Sequence, residues 1–252
     1  VQEAATNAEQ VIRRLTALLE LGPAPGWLPP GRRVYAIGDI HGCGDRLAVL
    51  HAAIRADIVS RPVASVLVVH LGDYVDRGPD SAGVVAMLAS GAPGVATVNL
   101  MGNHERTMLD ALAGDQASAR EWLFNGGGAA LASWGAAAED VPEAWAAAIP
   151  AGDLAWLGAR PLHHAEGNYL FVHAGIRPGV ALADQAADDL LRIRGSFLHS
   201  EADFGAVVVH GHTPRAAPEV RRNRIGIDTG AVYGGALTCA VLEGDRVGFL
   251  AA

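Results

Sequence analysis

Residues 34–42 read Val-Tyr-Ala-Ile-Gly-Asp-Ile-His-Gly, a pattern that later parts of the chain repeat. Its four consecutive apolar residues predict a strand that is buried on both faces, as in the sheets of α/β proteins. A glycine ends the run, and Asp39 and His41 follow it. Strand carboxyl ends line the ligand crevice in α/β sheets, so we expect both side chains to face a functional site.

The same pattern, an apolar run that stops at a polar cluster, occurs four more times. These runs cover residues 66–71, 95–101, 169–172 and 207–209. Helical patterns lie among them at residues 45–58, 80–89 and 105–113. Strands that alternate with helices predict an α/β fold.

The later runs also deliver polar side chains to the same sheet edge. With Asp39 and His41 they give a set of oxygen and nitrogen donors completed by Asp73, Asn103, His173 and His212, with His104 beside them. Mixed donors suit Mn, Fe, Zn, Co or Ni rather than calcium. Six ligands exceed what one tetrahedral zinc with an open position uses, and they fit two ions that share an aspartate. Two such ions clamp the attacking and leaving oxygens of a phosphoryl displacement.

The amino-acid composition excludes several kinds of catalytic chemistry. The 252 residues, half of them hydrophobic, suit a well-packed globular chain. All 19 basic residues are arginine, and there is no lysine. This excludes a P-loop lysine, a Schiff-base lysine and the β3 lysine of a protein kinase. Any phosphate must therefore be bound by arginines, helix N-termini or metal ions.

Charge and cysteine content bear on partners and compartment. A net charge of −8 argues against broad nucleic-acid or anionic-membrane binding. Apolar stretches such as that around residues 63–69 are too short to span a bilayer. Two cysteines, Cys43 and Cys239, are too few for a disulfide scaffold or a zinc ribbon and favour a reducing compartment. We expect a cytoplasmic protein with no nucleic-acid or membrane partner.

The remaining segments suggest the domain organisation. Residues 1–31 are predicted to form an N-terminal helix, at 2–20, and a proline-rich strap. Residues 32–252 form the main domain. Within it, the stretch at about 115–160, rich in alanine and tryptophan, predicts two or three helices as a small cap.

The ordered motifs resemble those of a known family. Gly-Asp-Ile-His-Gly (38–42), Gly-Asp-Tyr-Val-Asp-Arg-Gly (72–78), Gly-Asn-His-Glu (102–105), His-Ala-Gly (173–175) and Gly-His-Thr (211–213) look like phosphoprotein phosphatases of the metallophosphoesterase class. The small bacterial and phage serine/threonine phosphatases are most similar. The resemblance covers about residues 33–243 and implies a calcineurin-like four-layer α-β-β-α sandwich with a two-metal site.

The resemblance also assigns metal ligands. Asp39, His41 and Asp73 would hold the first ion. Asp73 would bridge to the second ion, which Asn103, His173 and His212 would hold.

Catalytic roles follow from the same motifs. His104 would protonate the leaving oxygen, with Asp76 orienting it. Arg77 and Arg194 would bind phosphate oxygens. Arg194 is matched through residues 191–194, where arginine replaces the tryptophan of the family's Leu-Trp-x-Arg. Tyr233 matches a tyrosine of a C-terminal loop that can face the site.

The implied activity is metal-dependent phosphomonoester hydrolysis on phosphoserine or phosphothreonine in proteins, or on small phosphoesters. A hydroxide bridging two ions, most suitably manganese, would attack phosphorus directly. Proline at 214 replaces the second histidine of the Gly-His-x-His found in many related nucleases and phosphodiesterases.

The sequence also allows two alternative functions. One is a dinucleoside-polyphosphate hydrolase acting on diadenosine tetraphosphate. Those relatives tend to carry Ala-Arg-Gly and Gly-Asn-His-Asp, whereas this chain has Asp76 and Glu105 at the differing positions. The other is a catalytically silent metal-binding module. The presence of every matched ligand argues against it.

Overall fold

The computed structural model describes residues 19–91 and 95–252. Most of the predicted helix at residues 2–20 lies outside these ranges. Six strands form the first sheet, in the order β1-β11-β10-β2-β3-β4. They are β1 (Gly22–Pro23), β2 (Arg32–Ile37), β3 (Ser65–His70), β4 (Ala96–Asn99), β10 (Thr238–Glu243) and β11 (Arg246–Ala251). β2 pairs in parallel with β3, and β3 with β4, while the other pairings are antiparallel.

Five strands form the second sheet, in the order β5-β6-β7-β9-β8. They are β5 (His163–Glu166), β6 (Tyr169–Val172), β7 (Val207–His210), β8 (Glu219–Val220) and β9 (Arg224–Gly226). β6, β7 and β9 run parallel, so their carboxyl ends point to one edge.

Nine α-helices connect the strands within the described ranges. They are α1 (Gly44–Ser60), α2 (Ser81–Ala89), α3 (Asn103–Leu112), α4 (Gln116–Trp122), α5 (Gly128–Ser133), α6 (Pro142–Ala148), α7 (Ala151–Gly158), α8 (Ala187–Arg192) and α9 (Gly195–Leu198). A π-helical turn, Leu123–Gly127, joins α4 to α5, and 3₁₀ turns cover Leu182–Asp184 and Ala231–Tyr233.

Three apolar layers hold these elements together. Along β2, Val34 and Ala36 pack between the two sheets, whereas Tyr35 and Ile37 face the helices that cover the first sheet. A third cluster packs α8 and α9 on the outer face of the second sheet, around Phe197. Both faces of each sheet are therefore buried, which explains the unbroken apolar runs. The predicted α-β-β-α sandwich is confirmed.

The segment at 115–160 contains four α-helices and the π-helical turn, where the sequence predicted two or three helices. Its buried side chains, among them Trp122, Leu131, Trp145 and Leu157, belong to the same cluster as α1 and the first sheet. These helices thus extend the outer helical layer beside α2 and α3.

The proline-rich strap lies across the edge of the sandwich. β1 pairs with β11, and the N–H of Leu28 donates to the Gly244 carbonyl. The N–H of Asn168 donates to the Trp27 carbonyl at the second sheet. In the ranges that the structure describes, no helix combines the length and the apolar character needed to cross a membrane.

Candidate active site

The loops that follow β2, β3, β4, β6 and β7 converge at one end of the sandwich. Within the described residues, the non-glycine residues with positive φ all belong to these loops: His41, Asp73, Asp76, Arg77 and His212. A left-handed backbone conformation is unfavourable for every residue except glycine. Non-glycine residues in this conformation cluster at functional sites. These five residues therefore have strained backbone conformations, which the packing of the surrounding fold must stabilise.

Asp73 stands at the centre of the group. Its Oδ2 lies 3.5 Å from His41 Nε2 and 3.9 Å from His104 Nε2. Its Oδ1 lies 3.4 Å from His173 Nε2. Two sets of donor atoms fall within metal-binding reach and share this aspartate: His41, Asp73 and His104, and Asp73, His173 and His212. One carboxylate oxygen faces each set, which is the arrangement a bridging ligand needs.

Two of the histidines are fixed by backbone carbonyls. His41 Nδ1 lies 2.8 Å from the Val75 carbonyl, and His173 Nδ1 lies 2.9 Å from the Leu71 carbonyl. A carbonyl only accepts, so Nδ1 carries the proton in each neutral ring and Nε2 presents a lone pair to the site. Metal-binding histidines are commonly oriented in this way.

Acceptor atoms crowd this site. His173 Nε2 lies 3.0 Å from Asn103 Oδ1, although neither carries a proton when the ring is neutral. Buried His212 Nε2 has no hydrogen-bond partner among the described residues. A buried polar atom without a partner is costly, and a divalent cation satisfies several lone pairs at once. The donor set therefore fits metal ions.

Carboxylates add a negative field. Asp39 accepts the backbone N–H of His212 at 3.1 Å. Burial and the nearby charge of Asp228 raise the pKa of Asp39 well above its usual range. Burial also raises the pKa of Asp228, and the charge of Asp73 adds to this effect. Three buried carboxylates at one place favour a bound cation.

The histidines respond to the same field. Burial opposes a charge on His173, but the carboxylates of Asp73 and Asp39 outweigh it and raise the pKa of His173 to about 9. Burial and the neighbouring His173 lower the pKa of His212 to about 2. The field that favours a proton at His173 equally favours a metal ion there.

Beside Asp73, His104 forms a separate hydrogen-bonded unit. Its Nδ1 lies 2.6 Å from Asp76 Oδ2, and the other oxygen of Asp76 accepts the Trp122 indole N–H at 2.8 Å. Burial opposes a charge on His104, but Asp73 and Asp76 outweigh it and raise its pKa. This unit can hold a proton next to the metal-binding set.

Two arginines line the open part of the site. Arg77 and Arg194, together with His212, line both a cavity of about 180 Å³ and a neighbouring one of about 200 Å³. Arg77 Nη1 lies 2.5 Å from His41 Nε2, and its guanidinium lies over the ring of Tyr233, 5.5 Å from the centroid. Tyr233 is 65% exposed, so a ligand can reach it. Guanidinium groups suit phosphate oxygens.

The predicted residues thus share one end of the fold. One difference concerns the first metal set, where His104 stands within reach of His41 and Asp73, whereas Asp39 faces His212 and lines the smaller cavity beside Asp228.

Asp228 and Trp122 lie at the site and were not predicted from the sequence. The strand-end rule points to Asp228, which lies two residues after β9. Trp122 is 46 residues from Asp76 and carries no comparable signal.

Glu105 has a role the sequence did not predict. Its Oε2 accepts the N–H groups of Gly102 and Asp73, and its Oε1 accepts those of Tyr74 and Val75. Burial and the charge of Asp73 raise the pKa of Glu105 to about 7, while the backbone donors oppose this shift. The side chain joins the loops after β3 and β4.

Known proteins share this sequence pattern. Serine/threonine-protein phosphatase 1 of Salmonella typhimurium is 32% identical over 219 residues, which cover 84% of this chain and 93% of that protein. A symmetrical bis(5'-nucleosyl)-tetraphosphatase of Methylococcus capsulatus is 36% identical over 145 residues, covering 58% of this chain and 44% of that enzyme. The second likeness therefore spans less than half of the tetraphosphatase.

The fold has a similar solved counterpart. The crystal structure of a candidate diadenosine tetraphosphatase superposes with a TM-score of 0.61 at 25% identity, covering 87% of this chain and 93% of that one. The family model described as calcineurin-like phosphoesterase matches residues 32–243, which contain every residue of the site. The strand-end donors, the sandwich and this match agree: the chain is a hydrolase of the calcineurin-like phosphoesterase family.

Proposed function

We propose that the protein is a metal-dependent phosphomonoesterase that acts on phosphoserine and phosphothreonine in proteins. The hydrogen bond of 2.6 Å between His104 and Asp76, beside the metal-binding set, carries this proposal. A serine or threonine alkoxide is a poor leaving group and needs a proton as the phosphorus–oxygen bond breaks. His104 would supply that proton.

Two divalent ions, held by Asp39, His41, Asp73, Asn103, His173 and His212, would supply Lewis acidity and activate a water molecule. We propose that both ions are manganese, which the mixed oxygen and nitrogen donors support. Reloading the metal-free protein with manganese, iron, zinc or magnesium tests this choice. Higher hydrolysis with iron, zinc or magnesium than with manganese contradicts it.

The arginines would bind the phosphate. Arg77 and Arg194 line both cavities of the site, so a phosphate between them meets two guanidinium groups. Their charges would neutralise the non-bridging oxygens as negative charge grows. Tyr233, at the mouth of the smaller cavity, would contact the bound ester.

Asp76 would orient the acid. With its Nδ1 hydrogen-bonded to Asp76, His104 directs Nε2 towards the site, 3.9 Å from Asp73 Oδ2. The Nε2 proton passes to the leaving oxygen, and the products are an alcohol and inorganic phosphate.

The test is the leaving-group dependence of His104→Asn. We expect kcat on a phosphoserine peptide to fall about 100-fold or more, and kcat on 4-nitrophenyl phosphate to fall far less. Nitrophenolate leaves without much protonation. Equal losses on the two substrates refute the acid role.

A second candidate function is hydrolysis of diadenosine tetraphosphate, favoured by the likeness to the Methylococcus capsulatus tetraphosphatase. Its leaving group is a nucleotide phosphate, a weaker base than an alkoxide, so it depends less on the His104–Asp76 pair. Product analysis with both substrates under identical metal loading separates the two. Faster turnover of the tetraphosphate makes this second function the correct one.

We also propose a cytoplasmic location. Both cysteines, Cys43 and Cys239, are free and buried, which suits a reducing compartment. Fractionation of the source cells with an antibody to the protein tests it.

A further inference from the structure

The most informative side chain outside the predicted set is Trp122, the last residue of α4. It is fully buried, and its indole N–H donates to Asp76 Oδ1 at 2.8 Å. Asp76 Oδ2 is the oxygen that holds His104. Trp122, Asp76 and His104 thus form one continuous chain of hydrogen bonds that ends at the proposed acid.

Asp76 depends on this indole. The residue is fully buried, and among the described side chains each carboxylate oxygen has one donor: His104 on one oxygen and Trp122 on the other. A buried carboxylate that loses a donor has no solvent to replace it. Without the indole N–H, the Asp76 carboxylate would rotate towards another donor, and the orientation of His104 would change with it.

Packing leaves the Trp122 ring little freedom. It meets Trp145 edge to face, with ring centroids 5.8 Å apart. On another side lies Gly127, where an added Cβ would stand 2.7 Å from the indole nitrogen. The ring therefore presents its N–H to Asp76 in a fixed direction.

The same segment also holds the residue after Asp76. The N–H of Arg77 donates to the Gly126 carbonyl at 3.1 Å. Trp122 and the π-helical turn therefore support two consecutive residues, Asp76 and Arg77, both of which have a positive φ.

We propose that Trp122 is a positioning residue of the reaction: its indole N–H fixes the Asp76 carboxylate, and Asp76 in turn aims His104 at the leaving oxygen. The inference rests on the proposed function, since it assigns Trp122 to the acid step and not to phosphate or metal binding. It gives the helices at 115–160 a part in catalysis.

The experiment compares two tryptophans packed in one apolar cluster. Trp122→Phe removes the N–H on Asp76, whereas Trp134→Phe removes an N–H that donates to the Asp153 carboxylate. We expect Trp122→Phe to lower kcat on a phosphoserine peptide about tenfold with KM unchanged, and to affect 4-nitrophenyl phosphate much less. Trp134→Phe should keep the wild-type ratio of the two activities.

A double variant tests whether the effect passes through His104. In a His104→Asn background, Trp122→Phe should cause no further loss on the peptide. Replacing the Trp122 indole by benzothiophene, which has the same shape but no N–H, avoids a packing defect should the phenylalanine variant unfold. It should reproduce the selective loss.

The outcomes are distinct. Wild-type behaviour of the benzothiophene protein, or equal losses on both substrates, overturns the role of Trp122. An additional loss in the double variant also overturns it, because Trp122 would then act without His104. If His104→Asn itself shows no preference between substrates, the proposed acid step fails, whatever Trp122 does.

Discussion

The carboxylate of Glu105 accepts the backbone N–H of Asp73 at 2.9 Å, so the central residue of the site is held from behind by the first turn of α3. Its two oxygens together accept four backbone N–H groups. The side chain of Asp73 is left free to face the histidines.

Replacing this carboxylate should destabilise the protein. In Glu105→Gln, one oxygen becomes an NH₂ group and leaves two buried N–H donors without an acceptor. We expect a loss of about 2–4 kcal/mol in the free energy of unfolding, measured by urea denaturation. Glu121→Gln, at a half-exposed position, serves as the control. Equal stability of the two variants would show that the Glu105 hydrogen bonds contribute little.

Metal content should report the bridge directly. Asp73→Asn should lose both ions, because its oxygens face both donor sets, whereas His212→Ala should retain one. Elemental analysis after manganese loading should give about two ions per wild-type chain. The exposed Asp188→Asn is the control. One retained ion in Asp73→Asn contradicts the bridging role.

Arg77 should matter for turnover. Removing one positioned charge costs on the order of 2.7–4 kcal/mol in the barrier, so Arg77→Ala should lower kcat at least tenfold. Arg120→Ala changes an exposed arginine that lines neither cavity and should behave as wild type. Near-normal turnover of metal-loaded Arg77→Ala would remove Arg77 from the phosphate site.

Gly126 should be needed for the position of Arg77. Gly126 has φ +105°, and an added Cβ would stand 2.8 Å from Arg77 Cγ, whereas at Gly114, with φ +96°, nothing lies within 4 Å. The positive φ alone should make alanine at either site cost about 1 kcal/mol of stability, and the contact with Arg77 should add to the cost at Gly126. Only Gly126→Ala should also lower kcat, because it displaces Arg77. Equal kcat values for both variants argue against the coupling.

The buried pair of His51 and His70 should make stability fall in acid. Their Nε2 atoms lie 2.9 Å apart, and burial lowers the pKa of His51 from 6.5 to about 4. The unfolded chain then binds more protons, so stability is complete above pH 6.5 and declines towards pH 4, by roughly 3 kcal/mol from His51.

His51→Gln should reduce the slope of the unfolding free energy against pH by the equivalent of up to one bound proton. Denaturation at several pH values measures this slope. The exposed His163→Gln should leave the slope unchanged. An unaltered slope in His51→Gln assigns the acid sensitivity elsewhere.

The sequence predicted the sheets and the donor set because both arise from local pattern. An apolar run followed by a glycine and a polar residue marks a strand end, and Asp39, Asp73 and His173 were found in this way. The distant partners lack such a mark. Whether Trp122 meets Asp76 depends on the helix positions after α3, which no short motif encodes.

The segment at 115–160 shows a related limit. It is rich in alanine, which favours helix at every position but gives little contrast between a buried and an exposed face. Helix existence was therefore predictable, while the number of helices and their breaks were not. The π-helical turn depends on Gly126 and its contact with Arg77, a tertiary interaction.

The five non-glycine residues with positive φ that the structure describes at the strand ends imply a trade-off between stability and activity. Each left-handed backbone conformation costs on the order of 1 kcal/mol that a glycine would not incur. Glycine at His41, Asp73, Asp76, Arg77 or His212 would therefore relax the backbone while deleting a functional group. The site thus keeps backbone strain in exchange for its functional groups, as expected where stability and activity conflict.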